Sequence, residues 1–177
     1  MRISSRFRPV WLGALWLGVA SVAAAQNVAP PDVARTVAAF AGHWVLEGTS
    51  TDPGQAPAHV QGTIDCSRAS LGVAVSCSIA VQIEGFGAVE AAAVIGFSPD
   101  EDVVRWMEIS STGEYHDHHG RWKGDSIDFE PLSYVTGAEK ATEFLHVSFP
   151  SAGQMALKAT TKTRSGDSVL ECRGKKQ

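Results

Sequence analysis

The run Tyr115-His116-Asp117-His118-His119 holds the densest set of chemically able side chains in the sequence. On a β-strand successive residues alternate between faces, so His116 and His118 share one face while Asp117 and His119 share the other. Two imidazoles at that spacing can chelate zinc, copper or iron, since neutral imidazole is the commonest metal-ligating side chain. The strand supplies only two ligands, so a third must come from elsewhere. Glu114 shares their face, and His146 lies on a later strand. The competing reading is a polar rim strand whose histidines carry no metal.

Other chemistry is weaker. Glu84, Glu90, Glu108 and Glu143 fall on different strands and make an acid/base pair only if the fold brings two together. No Gly-x-Ser-x-Gly elbow leads into a helix, so a serine nucleophile has no support. Gly85-Phe86-Gly87 lies between two β runs and reads as a hairpin turn rather than a phosphate loop. Asp100-Glu101-Asp102 follows Pro99 and reads as a solvated turn, although such carboxylates can hold calcium. The His-x-His spacing also occurs in cupins, with a Glu a few residues downstream. Here that stretch is Gly120-Arg121-Trp122-Lys123, and the pattern fails.

The elements that must position these residues are short β runs. Strands are expected over His43–Ser50, Ala58–Cys66, Val73–Ile83, Ala88–Phe97 and Val103–Ser110. They continue over Gly113–Lys123, Ser126–Leu132, Ala141–Phe149, Gln154–Thr163 and Ser168–Arg173. Separators such as Asp52-Pro53-Gly54, Gly124-Asp125 and Ser165-Gly166-Asp167 are turn material. About ten hairpin-linked strands suit a closed up-and-down barrel better than an open sheet with exposed edges. Before them, a Pro-Asp start followed by Val33, Val37 and Phe40 predicts one short helix over Pro31–Ala41, placed to cap a barrel end.

A barrel of ten strands is wide enough for a small ligand, with a few polar groups to orient it. Trp106, Phe129, Phe144 and Leu145 are the expected cavity lining, and Arg105 or Arg121 can pair with a ligand carboxylate. Simple packing of a filled interior is the alternative for each.

The first residues carry an export signature. Arg2, Arg6 and Arg8 precede an apolar stretch from Val10 to Ala20, and Ala23-Ala24-Ala25 offers a signal-peptidase site. The apolar stretch is short for a membrane anchor. Residues 1–25 are therefore expected to be a signal peptide, residues 26–41 a tether and short helix, and residues 42–177 a single β-barrel domain. Removing residues 1–25 takes away three arginines and no acids, moving the net charge from −4 to −7. Such an acidic domain repels phosphate backbones, which argues against nucleic acid as a partner. The expected location is the periplasm or outside the cell, with no membrane span after signal cleavage.

Three cysteines remain. Cys66 and Cys77 flank a turn near Ser70-Leu71-Gly72, which places them opposite each other across a hairpin, and an oxidising compartment permits a bridge there. Cys172 can pair with either instead if the last strand lies close.

Phe40-Ala41-Gly42-His43-Trp44, followed by Glu47-Gly48, resembles the Gly-x-Trp-x-x-x-Gly opening of calycin-type barrels, in which the Trp plugs the barrel floor. Further along come Gly96-Phe97-Ser98, Arg105-Trp106, Ser110-Ser111-Thr112-Gly113 and Gly120-Arg121-Trp122-Lys123-Gly124. Together these resemble the bacterial domain of unknown function 1579 family, over most of Phe40 to Thr163. The resemblance implies an all-β, antiparallel, up-and-down calycin-like barrel with a short N-terminal helix. It transfers no catalytic residue. A distant likeness in barrel type to the haem-binding nitrobindins makes His116, His118 and His146 candidate axial ligands.

Three functions are compatible with these readings. One is a barrel that binds a small apolar or amphipathic molecule. Another is a metal or haem protein, with or without catalysis, centred on His116 and His118. The third is an envelope interaction scaffold with a filled core. The first fits the pattern best; no particular cofactor is implied.

Overall fold

In the computed structural model, which describes residues 31–177, apolar and polar residues alternate along one strand after another. A sheet with one apolar face must bury that face, and closing the sheet on itself does so without leaving an edge. The expected signal peptide and the beginning of the tether lie outside the described residues.

Helix α1 (Pro31–Phe40) precedes eleven strands. They are β1 (Gly42–Thr51), β2 (Ala58–Ala69), β3 (Ala74–Ile83), β4 (Gly87–Ser98), β5 (Val103–Ser110) and β6 (Tyr115–Lys123). The remainder are β7 (Ser126–Phe129), β8 (Leu132–Thr136), β9 (Glu139–Ser151), β10 (Gln154–Thr163) and β11 (Gly166–Lys176). All ladders are antiparallel, and β1 pairs with β11 from Trp44↔Lys176 to Thr51↔Val169 to close the ring.

Eleven strands make ten staves. β7 and β8 share one edge of β9, through Asp128↔His146 and Ser133↔Thr142. They are one stave broken at Glu130-Pro131, where proline has no N–H to give to a ladder. The sequence expectation of a single strand over Ser126–Leu132 is corrected accordingly, and Leu132–Thr136 is a strand it overlooked. The break opens a seam. β6 pairs with β7 only over Gly120–Lys123, and β8 has no ladder partner except β9.

One barrel end is sealed. Val33, Val37 and Phe40 of α1 are buried against the barrel. The Trp122 indole N–H donates to Thr36 Oγ1 at 3.0 Å, and Lys176 Nζ donates to the Ala38 carbonyl at 3.4 Å. Trp44 is buried there and donates to the Phe40 carbonyl at 2.8 Å. Phe149 packs on Phe40, Trp44 and Trp122. The turns joining β5 to β6, β8 to β9 and β10 to β11 lie at the opposite end, as up-and-down connectivity requires.

Cys66 and Cys77 are register partners of β2 and β3 and form a disulfide. Between them the turn passes through Ser70–Gly72, with Leu71 in the left-handed region at φ 57°. Cys172 is free and buried, so the alternative pairings do not occur. Gly85-Phe86-Gly87 is the β3–β4 hairpin turn, with both glycines at positive φ. No helix of the described residues is long and apolar enough to cross a membrane.

Candidate functional site

The side chains of β6 that face the lumen are His116, His118, Gly120 and Trp122, and strand alternation fixes this set. Gly120 matters for the shape. A Cβ there would lie 2.7 Å from Phe129 Cδ1 and 2.8 Å from Ile127 Cγ2. Its absence lets Phe129 cross beneath His118, with ring centroids 5.8 Å apart. Trp106 on β5 packs edge-on against Phe129 and Phe40, making an aromatic floor under the polar residues.

Above this floor, β9 turns Glu143 inward across the seam. His118 Nε2 is 3.3 Å from Glu143 Oε1, and His116 Nδ1 is 3.9 Å from Glu143 Oε2. Ligand atoms of His116, His118 and Glu143 all lie within 4.8 Å of one another. Tyr134 on β8 donates to Glu143 Oε2 at 3.3 Å, and Thr161 on β10 donates to the same oxygen at 3.5 Å. The Tyr134 ring also packs on His116 at 4.4 Å between centroids. Side chains therefore bridge β6 and β8 where the ladder does not. Glu108, the register partner of His116, accepts from Trp106 Nε1 at 3.0 Å.

Burial sets the electrostatics. His118 is 3% exposed, and desolvation lowers its pKa to about 4, with further lowering by the neighbouring His116. Desolvation raises both Glu108 and Glu143, although the hydroxyls of Tyr134 and Thr161 hold Glu143 back. The Tyr134 hydroxyl is pushed up to about 12, chiefly by burial. At neutral pH the site thus has a neutral His118 imidazole with a lone pair to donate, beside two carboxyls whose pKa burial raises. Two buried ring nitrogens, His116 Nε2 and His118 Nδ1, have no hydrogen-bond partner in the protein.

The structure sorts the sequence candidates. His116 and His118 share the lumen face as the spacing predicts. The expected third ligands do not join them closely. His146 lies on the outer wall, with Nδ1 2.6 Å from Asp128 Oδ1, and Glu114 Oε2 is 4.0 Å from His116 Nε2. Glu143 takes that place. Of the four scattered carboxylates, Glu108 and Glu143 reach this end of the lumen, whereas Glu84 and Glu90 are exposed. Trp106, Phe129 and Leu145 face the lumen and are buried.

Arg105 and Phe144 require correction as lining residues. Arg105 projects outward to pair with Asp117 at 2.6 Å, and Phe144 lies outside beneath Lys162. Both sit at outward positions in the strand alternation. Arg121 is also outside, paired with Glu130 at 3.1 Å. Tyr134 and Thr161 were missed. The signal for Tyr134 was Pro131, which ends one short strand and starts another.

No family model matches this chain, and no curated protein is similar to it in sequence. Its fold is shared with solved structures. The Rv2717c protein of M. tuberculosis is similar with a TM-score of 0.60 at 12% identity, over 84% of this chain and 98% of that one. The S-type phycobiliprotein lyase CPES of Guillardia theta is similar with a TM-score of 0.57 at 10% identity, over 80% of this chain and 90% of that one. At such identity the likeness is one of barrel architecture.

Proposed function

We propose that this chain is an exported barrel that binds a small apolar or amphipathic molecule in the open half of its lumen, with His116, His118 and Glu143 orienting the ligand's polar group. The observation that carries this reading is the contrast between the two halves of one lumen. At the helix end the inward residues Val75, Ile95, Val104, Ile127 and Val147 are all 0% exposed. Toward the other end Ile79, Val81, Ala159 and Leu170 face the same axis but are only half-buried. Apolar walls that solvent still reaches, beside a few convergent polar groups, are what a binding cavity presents. A scaffold with a wholly filled core would have sealed them.

The similarity to a phycobiliprotein lyase supports the barrel frame and leaves the ligand to the residues of this chain. Export is supported by the basic, apolar and small-residue order of the first residues and by the Cys66–Cys77 disulfide. Likeness to the domain of unknown function 1579 family rests on the motifs between Phe40 and Thr163.

Titration with anilinonaphthalene sulfonate, an amphipathic fluorescent probe, tests the reading. Ala159 is the register partner of both Leu145 and Leu170. Ala159→Trp fills the cavity and should abolish saturable binding, while Phe144→Ala on the outer wall should leave it unchanged. A folded Ala159→Trp protein that binds the probe like the parent overturns the reading.

A further inference from the structure

We infer that the open half of the lumen holds one divalent transition-metal ion on His116, His118 and Glu143, with a coordination position left facing the cavity. The inference deepens the binding reading above, since it names what fixes the ligand's polar group.

Geometry is the first support. Zinc bonds of about 2.0–2.1 Å in tetrahedral array put neighbouring donors about 3.4 Å apart. His118 Nε2 and Glu143 Oε1 are already 3.3 Å apart, and one ligand atom from each of the three residues lies within 4.8 Å of the others.

The second support is the orientation of the two rings. A neutral imidazole has one N–H and one lone pair, and each wants a partner when buried. In His118, 3% exposed, Nδ1 has none, and the partly buried His116 leaves Nε2 without one. The nitrogens turned toward Glu143, His118 Nε2 and His116 Nδ1, are the ones positioned to ligate, which places each ring's N–H on the nitrogen facing away. On that side of His116 lies Glu114 Oε2, 4.0 Å from Nε2.

The surroundings complete the support. Tyr134 and Thr161 grip one oxygen of Glu143, the kind of outer hydrogen bond that orients a metal-binding carboxylate. Glu108 adds a carboxyl nearby. No Lys or Arg occupies a lumen-facing position of β5, β6, β8 or β9. Two imidazoles and one carboxylate suit zinc, iron, nickel or copper, whereas calcium and magnesium prefer oxygen alone.

The test uses untagged protein, stripped with chelator and titrated with Zn²⁺ and Co²⁺ alone. One equivalent of Co²⁺ should give visible absorption bands of a low-coordinate nitrogen and oxygen site. Glu143→Gln and His116→Ala, with folding checked by circular dichroism, should each weaken Zn²⁺ binding by about a hundredfold. His146→Ala on the outer wall should not. Absence of a stoichiometric Co²⁺ spectrum in the parent protein overturns the inference, as does equal weakening by His146→Ala. Anilinonaphthalene sulfonate is titrated into the same samples. Probe binding without metal binding removes the ion and keeps the cavity; metal binding without probe binding does the reverse.

Discussion

His118 Nε2 faces Glu143 Oε1 at 3.3 Å across a seam where β6 and β8 run without a ladder between them. The break at Glu130-Pro131 creates that seam, and side chains close it. A polar cluster in the wall of a barrel would ordinarily weaken the fold, because each buried polar group needs a partner. Here it stands where backbone pairing has already been given up, above an aromatic floor. Position, rather than residue type alone, makes the cluster a candidate site.

Tyr134→Phe separates the two jobs of that residue. The ring stays on His116, while the hydroxyl that donates to Glu143 Oε2 is lost. Stability should fall by about 1 kcal/mol, and Zn²⁺ affinity should fall at least about tenfold. Denaturant melts and zinc titration of the same sample check both.

Acid should destabilise the metal-free protein through His118. Its pKa falls from 6.5 to about 4 in the fold, so the folded state refuses a proton that the unfolded chain accepts. The associated stability is complete above about pH 6.5 and is lost progressively as pH falls to about 4, by up to about 3 kcal/mol. Glu108 and Glu143 are raised, so their contribution has the opposite sense, present at low pH and lost as pH rises through their folded values. His118→Asn should flatten the difference between urea midpoints at pH 7.5 and pH 4.5, and an unchanged slope would contradict the assignment.

Gly120→Ala should cost about 1–3 kcal/mol, because the new methyl meets Phe129 and Ile127 well inside contact distance. Phe129 must then move, and His118 loses the ring beneath it. A thermal melt measures the loss, and the Co²⁺ spectrum reports whether the site moves with it.

Most of the fold was legible because strand periodicity and turn residues survive in sequence. Nine of the ten runs between His43 and Arg173 each became a strand, the exception being Ser126–Leu132, broken at Glu130-Pro131, and Cys66 and Cys77 stood opposite because their hairpin is regular. His116 and His118 could be placed on one face for the same reason. Glu143 could not be distinguished from Glu84, Glu90 or Glu108. Its place depends on β9 lying across a broken stave, a relation between segments that no local pattern records. Arg105 and Phe144 were misplaced because the sequence of a strand shows two faces without saying which is the lumen. Trp106 and Leu145, their neighbours in sequence, hold the inner positions.

Removing the disulfide tests the hairpin that anchors β2 to β3. Cys66→Ser with Cys77→Ser should lower stability by about 2–4 kcal/mol in the chain-entropy view. The Cys172 thiol of the parent protein behaves differently, since it is unpaired and its pKa is raised to about 11 by burial. It should form no adduct with iodoacetamide until the protein is unfolded, which mass spectrometry detects directly.

The most direct measurement is native mass spectrometry of the protein purified from cells that express the full chain, set against the denatured mass. The account predicts an excess mass of a small organic molecule, displaced by anilinonaphthalene sulfonate and missing from Ala159→Trp. Identical native and denatured masses, together with no uptake of that probe by the parent protein, would contradict it.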